Sequence, residues 1–303
     1  MKTILIYNSH SGNFNYVKNK DKIINELRHY VKDDITVFAS TGPKSITEVL
    51  IKEGEGFELA VVFGGDGTLN EAINGLMHLT KRPRLLYVPT GTVNDVGHML
   101  GLKRNYKKTF KLLADDAIAM DVCRMNELYF TYVGACGKFT SVSYDTRRTK
   151  AKRFFGKMHY YWLALKELIY PLKVELTVKT KKQEIKGTYF LMLAMNSQRI
   201  GSFFIRKKKN VCLNDNSINL YLFDATRFGS VFNMFNYFFF GDYLKHGITE
   251  LVGNEFLVIA KKPIVYNVDG EKAFEEEKIE IKVLHNAINI YASKKAKKKY
   301  FIE

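Results

Sequence analysis

Two things are scarce in this sequence: cysteine and acid. Cys123, Cys136 and Cys212 are its only cysteines. They are odd in number, far apart, and form no CxxC pair, so a disulfide framework or a cysteine zinc site is not expected. A reducing compartment fits. Acidic residues number 31 against 47 lysines and arginines, a net charge of +16. Such a surface seeks anions: nucleic acid, anionic lipid or phosphorylated ligands. Long hydrophobic runs are also missing. The most apolar region, "FNMFNYFFFGDYL", is broken by Asn233, Asn236 and Asp242 and is too short to span a bilayer. The apolar run in "MKTILIYNSHSG" is too short for a signal peptide. The expected location is therefore cytoplasmic, soluble or peripherally attached to a membrane. No helix-turn-helix, RNP or zinc-finger pattern occurs, so nucleic acid is not the expected partner. No internal repeat or obvious linker is present.

What is there is a chain with 46% apolar residues, enough for a sizeable core in one or two domains. In the first third, apolar strand runs alternate with helical spacing. "TILIYN", "DITVFAS", "ELAVVF" and "RLLYVP" read as strands. "KDKIINELRHYV", "SITEVLIKEG", "LNEAINGLMHL" and "YKKTFKLLA" read as helices. This alternation predicts a parallel sheet covered on both faces, with ligands beyond the carboxyl ends of its strands. From about Ala117 the rhythm changes. "AIAMDVCRMNELYFTYVGACG" reads as a hairpin turning at Met125, Asn126 and Glu127, and further strands follow to "KIEIKVL". Two helical insertions are expected, around "HYYWLALKELIY" and "SVFNMFNYFFF". The fold expected is an α/β nucleotide-binding domain at 1–122 and a mainly antiparallel β domain at 123–287. The tail 288–303 is a candidate to return to the first, and the active site is expected in the cleft between the two.

The stretch "VVFGGDGTLNEAINGL" joins a buried strand to a helix through closely spaced glycines. Such a turn presents free backbone N–H groups and the positive helix end, and glycines let an anion approach. The combination is a phosphate site. Thr68 and Glu71 have the spacing of a capping box for that helix. A tight turn that binds nothing is the competing reading. The stretch is not a Walker A loop, and "GACGKF" at Gly134 fails that pattern in spacing and final residue. It also lacks the third glycine of a dinucleotide fingerprint.

"GGDGTLNEAINGL" resembles the nucleotide motif of the diacylglycerol kinase catalytic-domain family. These bacterial lipid kinases are related to sphingosine kinases and, more distantly, to NAD kinases. "YNSHSGN", "STGPKS", "PTGTVNDVGHMLGL", "VCLNDNSINLYLF" and "NVDGEKA" resemble further family segments in the same order. The resemblance implies ATP bound with Mg²⁺. It implies nucleotide contacts at Asn8, Ser9, His10, Ser11, Gly12, Thr41, Gly65, Asp66, Gly67, Thr68, Leu69, Asn70, Glu71, Thr92 and Asn94. Asp66 and Asp95 put two carboxylates on adjacent loops, and Mg²⁺ prefers one or two carboxylates plus water and phosphate oxygens. The resemblance makes Asp66 both catalytic and a metal ligand. It makes Glu271, after Asp269 and Gly270, the general base for a lipid hydroxyl. It places a second, structural metal at Asp215 with Cys212 and Ser217. Bland readings compete: Asp95 as the N-cap of "VGHML", and Glu271 as a hairpin residue in an acidic neighbourhood. The pattern also frays. Ser9 stands where proline is usual, Asn216 where glycine is usual, and His98 where arginine is more frequent.

The positive charge concentrates in "RRTKAKRFFGK", "RKKK" and "KKAKKK". A lipid kinase meets its substrate at a membrane, where each basic residue near an anionic leaflet contributes roughly 1 kcal/mol. The aromatic run 232–240 is either an interfacial anchor or core, and core is favoured. Three functions are carried forward. The leading one is an ATP- and Mg²⁺-dependent lipid kinase that converts diacylglycerol to phosphatidic acid. The others are a kinase of a soluble acceptor, as in NAD kinases, and a non-catalytic lipid- or nucleic-acid-binding protein on the same scaffold. The oligomeric state is not legible, and a homodimer stays open.

Overall fold

The structure is a computed structural model. It describes residues 1–8, 16–137, 173–197, 199–200, 203–204, 211–226, 230–240 and 247–302. The expected contacts at Ser9, His10, Ser11 and Gly12 lie outside these residues. So do the helical insertion around 159–170 and the basic clusters at 147–157 and 206–209.

The first part alternates as its sequence predicts. β1 (Thr3–Tyr7), α1 (Tyr16–Arg28), β2 (Ile35–Ala39), α2 (Ser45–Glu53) and β3 (Leu59–Gly64) are followed by α3 (Asp66–Leu76), β4 (Arg84–Pro89), α4 (Asp95–Met99) and α5 (Tyr106–Phe110). The strands pair in parallel in the order β2-β1-β3-β4. β3 is buried along its whole length, as an apolar strand covered by helices on both faces must be. All four strands run the same way. Their carboxyl ends therefore present Asn8, the turn before α2, the glycine turn and the turn after β4 along one edge.

The second part is a mainly antiparallel sheet. It contains β5 (Ile118–Met125), β6 (Leu128–Phe130), β7 (Val133–Gly137), β8 (Val174–Lys179) and β9 (Glu184–Met195). After the short pair β10 (Arg199–Ile200) and β11 (Phe203–Phe204) come β12 (Ile218–Asp224), α6 (Ser230–Phe240) and β13 (Ile248–Gly253). The long strands β14 (Glu255–Val268) and β15 (Glu271–Ile290) close the sheet, and α7 (Lys294–Tyr300) ends it. The hairpin expected at Asn126 is present, with Asn126 in the left-handed region at φ 49°. "EFLVIAK" and "PIVYNV" form one strand rather than two. Pro263 falls where the register with β15 shifts, which is where a residue without an N–H is tolerated.

One hydrogen-bonded path, β13-β12-β9-β7-β14-β15-β4-β3-β1-β2, links both parts. The junction is the end of β15, where Ile290 pairs in parallel with Leu85 of β4. α7 follows, capped by the Ser293 hydroxyl, which accepts from the Ala296 N–H at 3.2 Å. Its Tyr300 and the following Phe301 are buried in a cluster with Val96, Met99 and Leu100 of the first part. In α6, Met234 is buried, while Tyr237 and Phe238 pack at 5.8 and 5.7 Å against Tyr221 and Phe223 of β12. That is the core reading of the aromatic run. Phe232 alone of its described side chains stands out, 68% exposed. Among the described residues no helix is long and apolar enough to cross a membrane.

Candidate active site

The glycine turn is built from close approaches. A Cβ on Gly64 would meet the Thr68 side chain at 2.2 Å. A Cβ on Gly91 would meet the Gly65 Cα at 2.5 Å. Glycine at 91 therefore lets the turn after β4 lie directly on the turn after β3. The Thr90 and Gly91 N–H groups both donate to the Gly64 carbonyl, at 2.8 and 3.2 Å. Asn94 takes the left-handed conformation at φ 56°, which asparagine tolerates. Its amide donates to the Gly91 carbonyl at 2.7 Å and accepts from the Tyr87 hydroxyl at 3.1 Å. Asn94 thus holds the turn in shape.

α3 starts at Asp66 with Gly65 as its N-cap and no side-chain cap. The capping box expected from Thr68 and Glu71 does not form. Thr68 instead accepts from the Asn8 amide of the β1 end at 3.3 Å. The Glu71 carboxylate sits against the backbone N–H groups of Lys44 and Ile46 at the start of α2. Its burial pushes its pKa up, and those two N–H groups oppose the shift. Leu69 is wholly buried in the core, and its N–H donates to the Gly65 carbonyl at 3.0 Å. Thr41 is exposed, its N–H bonded to Ser45 Oγ at 3.2 Å. Thr92 is exposed too, its carbonyl accepting from Arg104 Nη2 at 2.8 Å.

Asp66 and Asp95 do come together. Asp66 is 8% exposed, and its Oδ1 accepts from the Val96 N–H at 3.4 Å. Burial, then the neighbouring Asp95 charge, push its pKa up to about 6. Asp95 has no exposed surface. It is the first residue of α4 and not its cap, which is Asn94. Its Oδ1 accepts from Arg199 Nε at 3.2 Å. Nothing local in the sequence marked Arg199, because it reaches Asp95 across 104 positions of chain.

The turn carrying Glu271 is fixed by the residue before its glycine. Asp269 and Gly270 both have positive φ, 47° and 83°, the two-residue hairpin turn joining β14 to β15. Asp269 is buried and its carboxylate is fully engaged. Oδ1 accepts from the Tyr132 and Val133 N–H groups, each at 3.1 Å. Oδ2 accepts from the Thr131 N–H at 2.9 Å, the Thr131 hydroxyl at 3.1 Å and the Asn70 amide at 2.9 Å. Asn70 and Asn74, one turn apart on α3, both donate to the Tyr129 carbonyl. The i, i+4 asparagine pair in "LNEAINGL" was the sequence signal for this grip. Through it the helix of the glycine turn holds the β14–β15 turn. Glu271, half-buried, is the first residue of β15, opposite Val268.

Asp215, Cys212 and Ser217 share the loop before β12. Asp215 Oδ1 accepts from both the N–H and the hydroxyl of Ser217, at 3.0 and 2.9 Å. Cys212 Sγ bonds the Asn214 side chain at 3.2 Å. Asn216 adopts φ 58°, which explains why asparagine can stand where glycine is usual. Its N–H donates to buried Asp121 at 2.7 Å. Asp121 also accepts from the Asn286 N–H at 2.8 Å and contacts His285 Nδ1 at 2.9 Å. Asp121 is a residue the motifs missed; an aspartate inside the apolar strand "AIAMDVC" was its signal. Among the described residues no three His, Cys, Asp or Glu side chains converge in metal-holding geometry.

Residues 2–125 match the family described as Diacylglycerol kinase catalytic domain. Over those residues the chain resembles this family. It is similar to the diacylglycerol kinase of Staphylococcus carnosus, with 29% identity over 220 residues, 72% of this chain and 71% of that one. It is also similar to the diacylglycerol kinase of Bacillus subtilis, with 25% identity over 88% of each chain. In fold it is similar to a diacylglycerol kinase from Bacillus anthracis str. Sterne. That structure superposes with a TM-score of 0.75 over 97% of this chain and 98% of the other, at 19% identity. The kinase catalytic-domain match covers the parallel part and β5, where the glycine turn, Asp66 and Asp95 lie.

Proposed function

We propose that this protein is a lipid kinase that transfers the γ-phosphoryl group of ATP to the free hydroxyl of diacylglycerol, giving phosphatidic acid and ADP. The observation that carries the reading is the Asn70–Asp269 bond. It joins the helix of the glycine turn to the hairpin that bears Glu271. The diacylglycerol kinases to which the chain is similar support the choice of acceptor.

Phosphoryl transfer asks for anchored phosphates, neutralised charge and a base at the acceptor. The open N–H groups at the start of α3 and the glycine backbone around Gly65 and Gly67 supply the phosphate cradle. Thr41 and Thr92 border it. The residues also fit Mg²⁺. Asp66 is a buried carboxylate beside a second one, an arrangement that a cation relieves. Bound there, Mg²⁺ would neutralise phosphate charge. Glu271 takes the proton of the attacking hydroxyl as the oxygen–phosphorus bond forms, and later releases it to water. Asp215, Cys212 and Ser217 remain our proposal for a second, structural cation.

We read residues 1–122 and 123–287 as two domains, with the tail 288–303 returned to the first and substrate held in the cleft between them. The surplus of positive charge would bring the enzyme from the cytoplasm to an anionic membrane surface, where its acceptor lies.

The test is transfer of labelled phosphate from ATP to a panel of diacylglycerol, ceramide, sphingosine, monoacylglycerol and NAD. Labelled phosphatidic acid is expected, and Asp66→Ala should abolish it without unfolding the protein. Label on NAD would assign the chain to soluble acceptors. No label on any acceptor would leave a binding protein.

A further inference from the structure

The segment after β9 reaches from the antiparallel part onto α4 of the parallel part. Ser197 is wholly buried, its hydroxyl 2.8 Å from Met99 Sδ. That same oxygen accepts from the Arg199 N–H at 2.8 Å. The backbone at 199 is thereby fixed against α4. From this position the Arg199 side chain, 23% exposed, bonds Asp95 through Nε.

The contact meets a specific electrostatic need. Asp66 and Asp95 are both buried and lie close enough for the charge of one to push up the pKa of the other. Two buried like charges repel, and an unpaired buried charge is strongly disfavoured. One guanidinium in an ion pair with Asp95 offsets one charge of the two. The bond also has direction. Nε lies in the rigid plane of the guanidinium, so it fixes the orientation of the carboxylate that it meets. The Val96 N–H that bonds Asp66 belongs to the residue after Asp95. Holding Asp95 therefore holds the donor to Asp66.

We propose that Arg199 is a positioning residue for phosphoryl transfer: it clamps Asp95 and α4 so that Asp66 keeps its place at the phosphate cradle. The inference rests on the kinase reading above. It goes further by giving the antiparallel part a hand in the nucleotide site. Arg199 acts through Asp95 and is not assigned contact with the reacting atoms. Lysine cannot replace it fully, because an ammonium is a point charge without the Nε geometry.

The experiment compares the wild type, Arg199→Met, Arg199→Lys, Asp95→Asn and the Arg199→Met/Asp95→Asn double variant in transfer to diacylglycerol. ATP binding and thermal unfolding are measured on the same proteins. Misplaced catalytic geometry of this kind costs on the order of 10²-fold. Arg199→Met should lower kcat by about that factor and change the KM for ATP by less than about threefold. Arg199→Lys should recover part of the rate. The double variant should be no slower than the slower single variant, because both changes break one contact. Losses that multiply, an Arg199→Met enzyme as fast as the wild type, or full recovery with lysine would each overturn the proposal. A wild type that labels no lipid at all would sink the kinase reading and this inference with it. An active wild type beside an unaffected Arg199→Met sinks only the inference.

Discussion

Asp66 shows the cost of burying a carboxylate most plainly. Its pKa stands at about 6 in the folded chain against an ordinary 3.8, and burial is the largest cause. A carboxyl that is easier to protonate when folded stabilises the fold below its unfolded pKa. It loses that contribution as the pH rises through about 6. Asp66 should therefore destabilise the ligand-free protein at pH 7.5, by at most about 3 kcal/mol at about 1.4 kcal/mol per unit. Asp66→Asn should raise the melting temperature at pH 7.5 in the presence of a chelator, and the gain should shrink toward pH 4. Adding Mg²⁺ should stabilise the wild type and not the variant. A variant that melts lower than the wild type at pH 7.5 would show that Asp66 is held by contacts and not strained by burial.

Among the elements, the two turns after β3 and β4 form one unit, and Gly91 is where they touch. Gly91→Ala puts a methyl group 2.5 Å from the Gly65 backbone, which no side-chain movement can relieve. Overpacking of this kind typically costs about 1–3 kcal/mol. Denaturant unfolding should register that loss, and ATP affinity should fall with it because the cradle opens. Wild-type ATP affinity in this variant would detach the turn after β4 from the phosphate site. The strand–glycine–helix join was legible in the sequence because it depends on apolar periodicity and on residues next to each other. The capping box was not, although its spacing was right. Thr68 is claimed by Asn8, 60 residues away, and Glu71 by the start of α2. Spacing shows what a helix start could do, but not which distant group competes for its side chains. Asn216 is the reverse case. It looked like damage to an Asp-Gly segment, yet its left-handed conformation is one that asparagine can hold.

At the scale of the whole molecule, β15 is the connecting piece. It begins at Glu271, pairs with β14 and β5 along its length, and ends against β4. The proposed base and the parallel sheet are thus on one strand, and Asp269 ties the start of that strand back to α3. The sequence supplied Asp66, Asp95 and Glu271 as motif residues. It could not supply the bonds that join them, since Asn70 and Asp269 are 199 positions apart and Arg199 lies in no recognisable pattern. These long-range bonds make the central claim testable. The claim is that Glu271 accepts the hydroxyl proton while ATP is bound by other residues. The direct measurement is the rate of labelled phosphatidic acid formation by Glu271→Gln at saturating ATP, with ATP affinity measured on the same protein. Loss of a general base typically costs ~10²- to 10⁴-fold. The account predicts a fall in kcat of that size with ATP affinity nearly unchanged. A Glu271→Gln enzyme that turns over at the wild-type rate, or that loses ATP affinity while sparing turnover, would contradict it.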